Sequence, residues 1–237
     1  MRRLLDIALL PLIAPQALWV AARASRLPEA AGPRSGEIGQ GDPLRLLILG
    51  DSSAAGVGVD FQDQALAGQL TRLLAPYHQV SWQVHAVSGA TVASTRRRMR
   101  ATDVAAADVA VVALGVNDTK NGVSTARWRT GYADLLTTLR AEFGIRHVYV
   151  SGLPPLGEFP LLPQPLRGVL GRRSDHFDRV LKELCATQAD VTYVPLNLQM
   201  DTTKMASDGF HPGSEVYAAW AALIAQRIVG SEPFERA

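Results

Sequence analysis

The feature that most constrains the fold of this chain is the alternation of short apolar runs with longer segments of helical periodicity. Runs at 44–49 and 108–114 have the composition of buried strands, residues 80–87 alternate between apolar and polar as a strand does, and shorter strands are predicted at 147–150 and 191–194. Between them, apolar residues recur every three or four positions. This pattern predicts an α/β fold, a three-layer α/β/α sandwich around a central parallel sheet of about five strands.

Polar segments of distinctive composition follow the first three predicted strands, and another precedes the last helix. They lie at 50–53, 88–91, 115–118 and 208–212. In a parallel sheet, ligands bind beyond the carboxyl ends of the strands, so these segments are expected to meet at one edge. Ser52 follows Gly50 on a tight turn there, where glycine lets the backbone bend and the hydroxyl is exposed for nucleophilic attack.

With these four segments in this order, the chain resembles the SGNH (GDSL-like) hydrolase family over residues 44–230. The matching motifs are Gly50-Asp51-Ser52, Gly89, Gly115-x-Asn117-Asp118 and Asp208-x-x-His211. Ser53 departs from the family pattern, which has leucine there, and gives a second candidate serine. The resemblance implies a flavodoxin-like arrangement of the sheet.

The resemblance also implies the roles of five residues in acyl transfer. Ser52 would be the nucleophile, His211 the base that takes its proton, and Asp208 the carboxylate that orients the imidazole. The backbone N–H groups of Ser52 and Gly89 and the side-chain amide of Asn117 would form the oxyanion hole. The sequence contains no metal-ligand spacing, so we expect no metal and no cofactor.

The predicted function is a serine esterase that hydrolyses carboxylic esters through an acyl-Ser52 intermediate. The apolar, proline-rich segment 153–171 follows the fourth strand and suits short to medium acyl chains, although it could equally pack on the domain or on the N-terminus. The expected partner is a small-molecule or lipid-like ester. The same triad would serve a lysophospholipase, a thioesterase or a carbohydrate deacetylase, and a non-catalytic binding protein is the remaining alternative.

The N-terminal segment, residues 1–24, is apolar after two arginines and has three open interpretations. It could be a signal peptide, an anchor on a membrane surface, or a helix packed on the domain. Asp6, Pro11 and Pro15 interrupt the apolar run, which weakens the case for a spanning helix. We expect a cytoplasmic or membrane-associated location rather than export, with possible membrane-surface contact through these residues.

Residues 25–43 are rich in Pro, Gly, Ser and charge and are predicted to be a linker, with the hydrolase domain occupying 44–237. The formal net charge is only +2, so we expect no nucleic-acid partner. Cys185 is the single cysteine and cannot form an internal disulfide. It lies in a helical pattern as a predicted buried residue.

Overall fold

The centre of the structure is a six-stranded sheet, in a computed structural model that describes residues 10–24, 27–196 and 203–230. The strands are β1 (Ser35–Ile38), β2 (Asp42–Gly50), β3 (His78–Ala86), β4 (Val109–Ala113), β5 (His147–Ser151) and β6 (Val191–Val194). They lie side by side in the order β1-β3-β2-β4-β5-β6, and β2 to β6 are parallel. This is the flavodoxin-like order, so the predicted fold class is confirmed.

The antiparallel edge strand β1 differs from the sequence prediction, because it lies inside the segment 25–43 that was expected to be a linker. β1 pairs with β3, and all four of its residues are exposed. Ala31, just before it, forms an isolated bridge with Phe61. The strand Ser-Gly-Glu-Ile buries neither face and therefore has no apolar alternation by which periodicity could identify it.

Helices cover both faces of the sheet. They are α1 (Leu10–Ala24), α2 (Leu66–Leu74), α3 (Val92–Ala101), α4 (Val116–Lys120), α5 (Thr125–Phe143), α6 (Leu166–Ala186) and α7 (Ser214–Gly230). In β2, Leu47 and Leu49 point to the cluster that contains α5 and α6, whereas Leu46 and Ile48 point to the one that contains α2 and α7. Burial on both faces explains why the central strands β2 and β4 are continuously apolar. Cys185 is buried on α6.

Helix α1 packs on the segment 153–171. Val20 is buried and Ile13 partly buried in a cluster with the apolar side chains of that segment. Gln16 adds two hydrogen bonds, donating to the Gln164 carbonyl (2.7 Å) and accepting from the Leu166 N–H (3.1 Å). The helix continues through Pro15. Residues 1–9, with the charged start of the predicted signal or anchor, lie outside the described residues.

Within the described ranges, no helix has the length and apolar character needed to cross a membrane.

A buried tyrosine ties helix α7 to the loop after β2. The Tyr217 hydroxyl lies 2.8 Å from the carbonyl oxygens of both Ser53 and Val57, so its single proton is shared between two acceptors. Tyr217 is fully buried. Because buried carbonyl groups need donors, this link determines where the loop lies relative to the helix.

We expect Tyr217→Phe to lower the free energy of unfolding by about 1–3 kcal/mol, because it leaves buried acceptors without their donor. Urea denaturation measures the difference. Tyr132→Phe is the matched control, since Tyr132 is equally buried and its hydroxyl has no hydrogen-bond partner among the described residues. Equal losses of stability in the two variants would contradict the role given to the Tyr217 hydroxyl.

Candidate active site

The candidate site begins at a row of three residues at the carboxyl ends of adjacent strands. Gly50 at the end of β2 is paired with Ala86 of β3 on one side and with Ala113 of β4 on the other. Backbone hydrogen bonds from Val87 N to Gly50 O and from Asp51 N to Ala113 O, both 3.3 Å, extend the pairing past the strands. The three following loops therefore leave the sheet side by side.

The loop after β2 turns back sharply at Ser52. Ala55 N donates to Asp51 O (2.9 Å) and Val57 N to Ser52 O (3.0 Å). The turn requires glycine at position 50, where a Cβ would lie 2.3 Å from the Cβ of Ala54 and 2.9 Å from the Ala113 carbonyl oxygen. The close approach of the chain to itself thus places the Ser52 side chain at the sheet edge.

The structure brings the three predicted triad residues into one hydrogen-bonded chain. Ser52 Oγ lies 3.0 Å from His211 Nε2, and His211 Nδ1 lies 2.6 Å from Asp208 Oδ2. Because a carboxylate only accepts, the imidazole carries its proton on Nδ1 and accepts the Ser52 hydroxyl proton at Nε2. His211 can therefore act as a base toward Ser52. Ser53 instead directs its backbone N–H to Asp51 Oδ1 (3.1 Å).

The Asp208 carboxylate is held by the turn that contains it. Its Oδ1 accepts the backbone N–H groups of Phe210 (2.9 Å) and His211 (3.0 Å), while Oδ2 faces the imidazole. Burial opposes ionisation, but the hydrogen bonds from His211 and Phe210 hold the pKa of the Asp208 carboxyl below its ordinary value. The carboxylate is thus charged and oriented at neutral pH.

The predicted oxyanion-hole donors lie on the three adjacent loops. Among the described residues, no hydrogen bond engages the backbone N–H of Ser52 or of Gly89. The amide Nδ2 of Asn117 donates to Ala90 O (3.0 Å) and to Asp51 Oδ2 (3.2 Å). The backbone N–H groups of Ser52 and Gly89 therefore have no acceptor among the described residues. The Asn117 amide already donates to Asp51 and Ala90, so it could bind an oxyanion only by sharing one of those two protons.

Gly89 is glycine because of its backbone conformation. Its φ is +80°, in the left-handed region, and a Cβ built there would meet nothing within 4 Å. The open space in front of the residue leaves its N–H accessible.

Two groups that sequence reasoning did not assign hold the Ser88–Gly89 turn and the Asn117 amide. Glu29, from the predicted linker, accepts the Ser88 N–H at 2.7 Å and pairs with Arg34, which also donates to Ala86 O. Asp51 is buried and accepts from the amide of Asn117, and its burial raises the pKa of its carboxyl. The only sequence signal for this contact of Asp51 with the Asn117 amide is that Asp51 directly precedes Ser52.

Asp118 serves the structure of the same corner. Its Oδ2 accepts the N–H of Val92, the first residue of α3 (3.1 Å), so Asp118 caps that helix from the short helix α4. Burial raises the pKa of Asp118 to about 6. Asp118 is not among the residues predicted to be catalytic, and its contact with the start of α3 gives it a structural role.

A cavity of about 60 Å³ opens beside Ser52 and Asn117. Most of its wall is apolar, formed by the side chains of Leu153, Phe159, Met205, Phe210, Val216 and Trp220. The segment 153–171 therefore lines this cavity and also packs on α1. An ester bound at Ser52 would have its apolar portion against this wall.

The fold is similar to several solved structures. The lipase Lip_vut3 from a goat rumen metagenome has a TM-score of 0.65 at 19% identity, over 81% of this chain and 100% of the lipase. TesA has a TM-score of 0.58 at 24% identity, over 76% and 95% of the two chains. Axe2, an acetylxylan esterase from Geobacillus stearothermophilus, has a TM-score of 0.58 at 18% identity, over 82% and 97%. At these identities the similarity concerns the fold.

No protein with a curated description matches this sequence. Residues 48–219, from the end of β2 into α7, match the GDSL-like Lipase/Acylhydrolase family. This range spans most of the chain and contains Ser52, Asn117, Asp208 and His211. The chain therefore belongs to the GDSL-like lipase/acylhydrolase family and is a carboxylic-ester hydrolase.

Proposed function

We propose that the protein is a serine esterase that hydrolyses carboxylic esters with short to medium acyl chains through an acyl-Ser52 intermediate. The observation that carries this proposal is the hydrogen-bonded chain from Ser52 through His211 to Asp208, next to a small apolar cavity. A serine hydroxyl becomes a competent nucleophile when such a base removes its proton.

In the proposed reaction, His211 Nε2 takes the Ser52 proton as Oγ attacks the ester carbonyl carbon. Asp208 holds the Nδ1 proton and stabilises the imidazolium that forms. The tetrahedral intermediate collapses, the C–O bond to the alcohol breaks, and His211 returns the proton to the departing alcohol. Water then attacks the acyl-enzyme with His211 as base, which releases the acid and restores Ser52.

We further propose that Ser52 N–H, Gly89 N–H and the Asn117 amide stabilise the oxyanion. The two backbone groups have no competing acceptor among the described residues. The bond from Asn117 to Asp51 is long, at 3.2 Å, and could be shared with a developing negative charge. A preorganised donor of this kind typically raises kcat by about 10²–10³-fold.

A second candidate, a lipid-like ester such as a lysophospholipid taken from a membrane surface, is supported by the outer face of α1. Leu12, Leu18 and Trp19 are 59%, 74% and 47% exposed on this helix. An open groove runs from Trp19 to Gly209 beside the Asp208 turn. Exposed Trp and Leu on a helix that is anchored by its other face are typical of interfacial segments.

We expect Ser52→Ala to lower kcat/KM for p-nitrophenyl butyrate by about 10⁴-fold or more, because the acyl-enzyme can no longer form. The same variant should lose labelling by a fluorophosphonate probe. Ser53→Ala is the matched control, because it removes a hydroxyl one residue away and should keep both activity and labelling. Loss of labelling in Ser53→Ala with retention in Ser52→Ala would reverse the assignment.

The cavity predicts the range of acyl chains. Rates for p-nitrophenyl esters should be highest from acetyl to hexanoyl and should fall steeply for dodecanoyl, because the apolar wall encloses a small volume. Phe159→Ala enlarges the cavity and should move the optimum to longer chains. Undiminished rates with dodecanoyl esters, or activity on acetyl esters alone, would contradict the proposed chain length.

Membrane-surface contact is tested by co-sedimentation of the full chain with phosphatidylcholine vesicles. The double variant Leu18→Ser and Trp19→Ser should bind several times more weakly, because it removes apolar area from the outer face of α1. Phe61→Ser is the control, since Phe61 is 57% exposed and lies in the loop between β2 and α2. If all three proteins sediment equally, α1 does not contact the vesicle surface.

A further inference from the structure

Lys120 is the one lysine or arginine among the residues that line the described cavity beside Ser52. It ends the short helix α4, three residues after Asn117. Residues three apart lie on the same face of a helix, with Cβ atoms ~5–6 Å apart. The Lys120 side chain therefore starts about one helical turn from the amide that is proposed to face the ester carbonyl.

The ammonium of Lys120 has no ion pair or hydrogen bond within the described part of the chain. Its contact there is with the ring of Phe210, whose centroid lies 5.1 Å away. Lys120 is exposed, while the groups packed around its side chain lower the pKa of its ammonium by burial, an effect that the Asp51 carboxyl opposes. A cation with no contacting carboxylate attracts an anion, and it does so more strongly beside an apolar wall than in open water.

The nearest candidate counter-charge, Asp51, is occupied elsewhere. Its two oxygens accept from Ser53 N and from the Asn117 amide, and burial raises the pKa of its carboxyl. The rest of the cavity wall is largely apolar. The cavity therefore combines a largely apolar wall with one cation, which lies about one helical turn from Asn117.

We propose that Lys120 is a specificity-determining residue that binds an anionic group, a carboxylate or a phosphate, carried by the ester substrate. This proposal rests on the esterase function proposed above. The anion would lie about one helical turn from the scissile carbonyl, as in a half-ester of a short dicarboxylic acid or in an ester of a short phosphate-bearing alcohol. A charged hydrogen bond of this kind favours such an ester over its neutral analogue by about 10-fold to 100-fold.

The competing explanation is that Lys120 only offsets the buried charge of Asp51 and packs on Phe210. In that case neutralising Lys120 would disturb Asp51 and, through it, the Asn117 amide. All esters would then lose activity by the same factor, whether or not they carry a negative charge. The two explanations therefore predict different changes in the ratio of kcat/KM for an anionic ester to kcat/KM for its neutral analogue.

The test compares kcat/KM for two pairs of esters in wild type and in Lys120→Met. One pair places a carboxylate on the acyl side, monomethyl glutarate against methyl pentanoate. The other places a phosphate on the alcohol side, acetoxyethyl phosphate against ethyl acetate. In Lys120→Met, we expect the ratio of kcat/KM for the anionic ester to kcat/KM for the neutral ester to fall by about 10-fold or more in one pair. The pair in which it falls shows whether the anion lies on the acyl side or on the alcohol side.

Lys120→Arg should keep most of the preference for the anionic ester because it keeps the positive charge. Lys182→Met is the matched control for the loss of one lysine, since Lys182 lies on the exposed surface of α6. Lys120→Gln is a second neutral variant in case Lys120→Met unfolds, as thermal unfolding would reveal. An unchanged ratio in both pairs, with the neutral and anionic esters losing activity equally, would overturn the proposal.

Binding measured without turnover separates this proposal from the esterase function. In a Ser52→Ala background, calorimetric titration with the same ester pairs should show tighter binding of one anionic ester, and Lys120→Met should abolish the difference. If the wild type hydrolyses no ester while this selectivity persists, the esterase proposal fails and the role of Lys120 stands. If neither anionic ester binds better than its neutral partner, the role of Lys120 is wrong.

Discussion

The register of three adjacent strands is the constraint on which the rest of the site depends. Ala86, Gly50 and Ala113 lie in one row across β3, β2 and β4, and backbone hydrogen bonds continue past that row. A slip of one residue between β2 and β3 would exchange the two faces of β3, which differ because Val80 and Val84 are buried and the residues between them are less so. Core packing thereby contributes to the relative positions of the segments that carry Ser52, Gly89 and Asn117.

Long-range contacts then bring the C-terminal part of the chain to this row. The hydrogen bond between Ser52 and His211 joins residues 159 positions apart, and Tyr217 bonds the same loop from the first turns of α7. Asp51, Asp118 and Lys120 near this row have shifted pKa values, each with burial as the largest cause, because removal from water disfavours the ionised form.

Much of the fold could be predicted because it depends on local pattern. Apolar runs identified β2, β4, β5 and β6, and alternation identified β3, all to within about two residues, since a strand buried on both faces is apolar throughout and a strand buried on one face alternates. The edge strand β1 and the linker contacts of Glu29 and Arg34 could not be predicted, because they are exposed or depend on partners distant in sequence. The role of Tyr217 could not be predicted either, because it depends on hydroxyl contacts with Ser53 and Val57, which are distant in sequence.

The sequence by itself determined which chemical groups are available and their order along the chain, because the motifs around Ser52, Asn117 and His211 follow elements that end at one sheet edge. Only the tertiary structure decided how those groups are used. It engaged both hydrogens of the Asn117 amide, made backbone conformation the reason for Gly89, and placed Lys120 on the wall of the cavity. These outcomes depend on distances between distant segments, which packing sets and local sequence does not contain.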